Sequence, residues 1–128
     1  MVNDPIGDMA IRLKNAYMAK LTVVEVPTSK LKAELAVLLK KLGYIKEVEQ
    51  KEGTNTFKMT LVYPKTETAF SGITRISKPG LRRYVGYKEL SKLSRGLGHL
   101  ILSTPKGLKS HIDAKKDHLG GELLLKVW

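Results

Sequence analysis

Within residues 28–63 the apolar positions change period. Leu31, Leu35, Leu38, Leu39 and Leu42 recur at helical spacing, opened by Thr28 and Ser29 as N-cap candidates and closed by Gly43. Phe57, Met59, Leu61 and Tyr63 then alternate with Lys58, Thr60 and Val62, the period-2 pattern of a half-buried strand. Between them, residues 44–49 read as a strand and residues 51–55 as a turn. A chain holding both periods so close together is committed to a mixture of helix and sheet.

The same reading extends in both directions. Asp4 followed by Pro5 predicts a helix start, with Ile6, Met9, Ala10, Leu13, Ala16 and Tyr17 forming its apolar stripe and Arg12, Lys14 and Lys20 lying off it. Leu21 to Val26 is rich in β-branched residues and ends at Pro27, as a strand would. Residues 64–68, polar and without period, are the expected boundary between a domain over 1–64 and a second over 65–128.

The second half reads as mainly β. Strands are expected over 69–77 and 81–85, joined by Lys78-Pro79-Gly80 in type II order. A short helix is expected over 87–93, and Gly96-Leu97-Gly98 breaks it. A further strand over 99–103 leads into Ser103-Thr104-Pro105-Lys106-Gly107. A helical turn over 110–116 and a last strand over 122–127 complete the series.

Charge separates the halves. The 128 residues carry 23 Lys+Arg against 12 Asp+Glu, a net charge of +11. Residues 1–64 hold 10 basic and 7 acidic residues, whereas residues 65–128 hold 13 and 5. Such an excess predicts a polyanionic partner, because cations that neutralise phosphates release condensed counterions, and it predicts that the second half faces that partner. Cysteine is absent, which excludes disulfides and thiolate metal sites and fits a reducing compartment. No apolar run approaches the ~20 residues of a membrane span, and the first residues lack the pattern of a signal peptide. A soluble, cytoplasmic protein is expected.

Catalytic constellations are weak. His111, Asp113, Asp117 and His118 match no familiar metal-ligand spacing and sit in a basic stretch. Ser103 is followed by Thr-Pro rather than by the strand-to-helix turn of a nucleophile elbow. Gly96-x-Gly98 precedes a strand instead of following one, and position 101 is Ile, so it is no dinucleotide fingerprint. No enzymatic activity, cofactor or metal is expected.

Two segments carry binding chemistry instead. Ser103, Thr104 and Lys106 offer hydroxyls and a cation before the turn at Gly107, a set suited to 2′-hydroxyls, base edges and phosphates; the plain alternative is an ordinary tight turn. Gly120-Gly121-Glu122 could bring one carboxylate near it, either to accept hydrogen bonds from a base or ribose or to hold the loop. Arg82, Arg83, Tyr84, Tyr87 and Lys88 interleave cations with aromatics, which suits phosphate pairing with base stacking; the alternative is an edge strand with its tyrosines inside.

Several segments, in order, resemble the bacterial-type family of small-subunit ribosomal protein eight. They are Asn3-Asp4-Pro5-Ile6 through Arg12-x-x-Asn15-Ala16, Val26-Pro27-x-Ser29-Lys30-Leu31-Lys32, Ile76-Ser77-Lys78-Pro79-Gly80-Leu81-Arg82, Gly96-Leu97-Gly98, Ser103-Thr104-x-Lys106-Gly107, and Leu119-Gly120-Gly121-Glu122. Each is weak alone; the ordered set is specific. The resemblance implies an α+β fold in which an N-terminal α-β-α-β-β unit packs against a C-terminal, mainly antiparallel β unit with short helices. It implies a primary binder of the central domain of small-subunit rRNA that helps assemble the platform, with the fifth and twelfth proteins of the small subunit as neighbours. Some members also repress translation of their own operon mRNA.

Carried onto this sequence, the resemblance assigns specific RNA contacts to Ser103, Thr104, Lys106 and Gly107, with Gly121 and Glu122 adjoining. Arg82, Tyr84, Lys30 and Lys14 are expected to add backbone contacts, and Asp4 joins the RNA-binding set. The family's loop reads Ser-Thr-Ser-Lys-Gly, so Pro105 here lacks a hydroxyl and a backbone N–H while presetting φ. Residues 108–112 also depart from the family pattern, with Ile112 where a cation is common; Lys109, Lys115 and Lys116 offer charge by other routes.

Overall fold

A computed structural model describes residues 4–50, 52–63, 71–93 and 98–128. The chain forms two compact units, one over Pro5–Ser71 and one over Gly72–Trp128, which Asp4 joins. The expected boundary at 64–68 lies outside the described residues, as do residues 1–3, 69–70 and 96–97.

The first unit contains α1 (Pro5–Met18), β1 (Val23–Pro27), α2 (Lys30–Lys41), β2 (Ile45–Gln50) and β3 (Thr56–Leu61). Its antiparallel sheet has the order β1-β3-β2, with Val26 opposite Phe57 and Val48 opposite Met59. Ile6, Met9, Leu13 and Ala16 of the α1 stripe are buried, as are Leu35, Leu38 and Leu39 of α2 and Phe57, Met59 and Leu61 of β3. Tyr63 falls beyond β3 and is exposed; its hydroxyl donates to the Leu21 carbonyl at 2.6 Å.

Both ends of α2 follow from side-chain and backbone chemistry. The Ser29 hydroxyl accepts from the Lys32 N–H at 3.1 Å, a cap typically contributing about 1 kcal/mol. At the other end the Tyr44 N–H reaches Leu39 and the Gly43 N–H reaches Lys40, the paired bonds of a Schellman stop. Lys32 is buried, and its Nζ lies 2.5 Å from Asp8 Oδ2 on α1. That contact, aided by Arg12, holds the Asp8 carboxyl below its ordinary pKa.

The second unit contains β4 (Ile73–Arg75), β5 (Tyr84–Val85), α3 (Tyr87–Leu93), β6 (His99–Thr104), β7 (Gly107–Ser110), α4 (His111–Lys116) and β8 (Gly121–Val127). The strands are antiparallel in the order β4-β8-β6-β7, and β5 pairs with the other end of β8 from β4. Val85, Leu90, Leu100, Leu102, Ala114 and Leu123 form the core between sheet and helices, with Ile76, Tyr87 and Leu93 packed against it. The α+β expectation is met, with one sheet in each unit.

The expected strand over 69–77 is confined to Ile73–Arg75 among the described residues, and two further elements differ. The strand over 81–85 reduces to the pair Tyr84–Val85. Leu81 instead closes a tight hairpin with Lys78 through two backbone bonds, with Gly80 at φ +86°, the left-handed corner of a type II turn. The Arg83 N–H then turns inward to the buried Ser77 Oγ at 2.7 Å, which brings the Arg83 carbonyl to the Leu123 N–H. The second difference is β7, which was not expected. Residues 107–110 form a hairpin strand on β6, and the expected strand end at Ser103 extends to Thr104.

Candidate nucleic-acid interface

Strand register brings the two candidate segments together. Glu122 on β8 pairs with Ser103 on β6 on one side and with Tyr84 on β5 on the other; Ser103 pairs in turn with Leu108 on β7. Directly opposed residues share a sheet face, so Tyr84, Glu122, Ser103 and Leu108 form one row across four strands. The face carries the opposite phase from Leu102 and Leu123, which point into the helix-covered core. Tyr84 is the most open member, 69% exposed.

Two consecutive glycines make that row possible. A Cβ on Gly121 would lie 2.0 Å from the Ser103 carbonyl oxygen, and one on Gly120 would lie 2.4 Å from that of Val85. Start-of-strand β8 is thus threaded between the ends of β5 and β6 with backbone against backbone, a separation closed to any larger residue.

The carboxylate in this row is paired. Arg82 Nη1 donates to Glu122 Oε2 at 3.0 Å, with the Glu122 side chain 16% exposed. Glu122 therefore positions a guanidinium beside Ser103 and Tyr84, which resolves the oddity of an acid in so basic a surface. Arg75, whose Nε donates to the Ser77 carbonyl at 2.6 Å, is paired with Asp4. Burial and the nearby Arg82 charge push the Arg75 pKa down, while Glu122 acts in the opposite sense. Asp4 thus serves this unit by neutralising Arg75.

The hairpin tip has a different architecture from an open loop. The Thr104 O–H donates to the Gly107 carbonyl at 2.7 Å, and its oxygen accepts the Lys106 N–H at 3.2 Å. Thr104 is also buried, so its hydroxyl braces the turn from within. Lys20 and His118 are the non-glycine residues with positive φ among those described. Pro105 and Lys106 are therefore the corners of neither a type II nor a primed turn, and Gly107, at φ +103°, takes the left-handed step. Pro105 suits the first corner, where φ is preset. Lys106 is exposed at the tip.

Of the residues singled out from sequence, Arg82, Tyr84, Ser103, Thr104, Lys106, Gly107, Gly121 and Glu122 are brought together in the second unit. Lys14 and Lys30 are exposed on the first. Tyr84 and Tyr87 divide the two readings of that segment: Tyr84 faces solvent, whereas Tyr87 packs on the core and against His118 at 5.0 Å. Lys109 does not supply an open cation, because its Nζ pairs with Asp117 at 3.0 Å. Arg75, Ser77 and Leu108 were missed as site residues. Ser77 had a signal in its place before Lys78-Pro79-Gly80; the other two are disclosed only by strand pairing.

His111 turns into the fold. The Leu100 N–H donates to its Nδ1 at 3.1 Å, which requires the lone pair of the neutral ring. Burial foremost, then the charges of His99 and Lys115, lower its pKa; burial lowers that of His99 too. Both rings resist protonation in the folded state, so they contribute stability that is complete above the unfolded value of ~6.5 and lost as pH falls below it. The denaturant midpoint is expected to fall between pH 7 and pH 5, above the carboxylate range. His111→Gln, which keeps an acceptor for Leu100 but cannot titrate, should shrink that fall. An equal fall in both proteins would remove His111 as its source. Among the described residues, no group of three or more His, Asp or Glu is arranged to hold a metal ion.

Comparison with known proteins places this basic, two-sheet chain in the class of ribosomal proteins. The chain belongs to the ribosomal protein S8 family, whose model matches residues 4–128. It is 46% identical to small ribosomal subunit protein uS8 of Nitratidesulfovibrio vulgaris (strain DP4) over 128 residues, covering all of both chains. It is 44% identical to the same protein of Solibacter usitatus and of Persephonella marina, again across the whole of each chain. The family is structural rather than catalytic. No described helix is long and apolar enough to cross a membrane.

Proposed function

We propose that this protein is a structural constituent of the small ribosomal subunit that binds the central domain of its rRNA and helps assemble the platform. The observation that carries the proposal is the row of Tyr84, Glu122 and Ser103, with Arg82 held beside it and Lys106 at the adjoining hairpin tip. The row offers a stacking ring, a hydroxyl and an oriented guanidinium on one rigid sheet face, in the more basic half of a ribosomal-family chain. Ser103 and Arg82 supply the specific contacts and Tyr84 a base platform. Gly107 and Gly121 bring backbone close to the RNA. Thr104 acts by holding the turn. Lys106, Lys14 and Lys30 contact phosphates. The fifth and twelfth small-subunit proteins are the proposed neighbours within the ribosome, and the operon mRNA a further RNA ligand.

The test is binding to a central-domain rRNA fragment and to a homopolymer of equal length across a salt series, with co-migration of the protein and small subunits at moderate salt as its cellular counterpart. Preference for the fragment supports the proposal; equal affinity for both RNAs defeats it. Lys106→Ala should weaken binding to every RNA and reduce the slope of log K against log salt by about one. An unchanged slope would mean that Lys106 makes no phosphate contact.

A further inference from the structure

A second feature of the same unit lies on the other face of its sheet. Lys126 on β8 is opposite Leu100 of the helix-side core on one side and Thr74 on the other. It is therefore out of phase with the Glu122 row. Trp128 lies two residues on, exchanging backbone hydrogen bonds with Gly72. Since Gly72 has no side chain, the indole lies across that bare strand: a Cβ there would be 2.5 Å from Cζ2 and 2.8 Å from Cε2. Trp128 stays 39% exposed. With Thr74, Ile76 and Lys126 it walls a depression of about 350 Å³, within the range of small-ligand sites.

We propose that this depression receives one unpaired nucleotide of the bound RNA, its base stacked on Trp128 and its phosphate paired with Lys126. The inference rests on the RNA-binding reading above and adds a second contact to it. Each wall has a part in recognising such a ligand. The indole offers a π-face, Ile76 an apolar floor, Thr74 a hydroxyl for a ribose or base edge, and Lys126 a charge. Among the described residues, the lining side chains are neutral or cationic, which suits a polyanion. Lys126 Nζ sits 5.9 Å from the Trp128 ring centroid, at the outer limit of a cation–π contact, so the ring gives up little when a base replaces the ammonium. Because the site and the Glu122 row occupy opposite faces, one base-paired helix cannot fill both; the depression takes a single-stranded segment.

Trp128 is the sole tryptophan, so its emission reports on the site. The full-length protein is titrated with single-stranded hexa-adenylate, with an abasic hexamer of the same charge, and with adenosine monophosphate. Hexa-adenylate is expected to quench Trp128 emission to saturation, while the abasic hexamer leaves it nearly unchanged. Lys126→Ala should raise the half-saturating concentration about threefold or more while keeping the full quench. Trp128→Leu should weaken hexamer binding, followed by anisotropy, about tenfold. The site is overturned if the hexamer does not bind, if it binds without quenching, or if the abasic hexamer quenches equally. Saturation by the mononucleotide at the hexamer's concentration would also overturn it, in favour of a free-nucleotide pocket. Binding of the central-domain fragment, measured alongside, separates the two readings: its loss defeats the proposed function, whereas its retention with an unresponsive Trp128 defeats only this site.

Discussion

Gly121→Ala should destabilise the protein by about 3 kcal/mol, at the upper end of what overpacking costs. The added methyl would meet the Ser103 carbonyl oxygen at 2.0 Å and the Thr104 Cα at 3.2 Å, and both neighbours are backbone. No rotamer change relieves such a clash; β8 must move away from β6. That movement pulls Glu122 from its place opposite Ser103, so RNA affinity should fall together with stability. A lower denaturant midpoint at unchanged slope is the expected signature. Gly86→Ala is the matched control, since a Cβ there meets nothing within 4 Å, and it should cost less than about 1 kcal/mol. Equal costs at the two positions would show that the approach of β8 to β6 is not tight.

The second large effect concerns selectivity. Glu122→Gln keeps the size of the side chain and one acceptor oxygen but removes the charge that holds Arg82 Nη1 at 3.0 Å. Discrimination between the central-domain fragment and a base-substituted version should drop by about 1–3 kcal/mol, the usual worth of one well-oriented base contact. The slope of affinity with salt should stay the same, because the number of neutralised phosphates does not change. Ser103→Ala should act alike, since it removes a hydroxyl from the same row. This pattern is the reverse of that expected for Lys106→Ala. Loss of equal size on cognate and substituted RNA would reduce the row to a structural device.

Local chemistry was legible wherever a residue's neighbours in sequence are also its neighbours in space. The α2 leucine stripe, its Ser29 cap and its Gly43 stop follow from helical spacing, as do the α1 stripe and the short helix over 87–93. The association of Ser103 with Glu122 was foreseen as a possibility, but its cause, two glycines allowing close backbone approach, depends on contacts between strands. Thr104 shows what composition leaves out. Its hydroxyl looks like a ligand for RNA in sequence, and only the closed turn reveals that Gly107 and Lys106 engage it. Lys109 is similar, because its partner Asp117 is not its neighbour in sequence. Arg75 carried no local signal; its importance comes from Asp4 and Arg82 converging on it. The four residues of β7 are too few to display a period, and their pairing partner β6 defines them.

The place of β8 in the second unit has a consequence for biogenesis. Among the described residues Tyr84 and Ser103 are joined through Glu122, and β4, β5 and β6 all pair with β8, which follows them in chain order. During synthesis β6 must therefore wait with the edge away from β7 unpaired, and β4 and β5 with no strand partner among the described residues, until residues 121–127 have left the ribosome. The same event that completes the sheet also assembles the row. A nascent chain is thus kept from engaging RNA specifically until its own synthesis has passed that point.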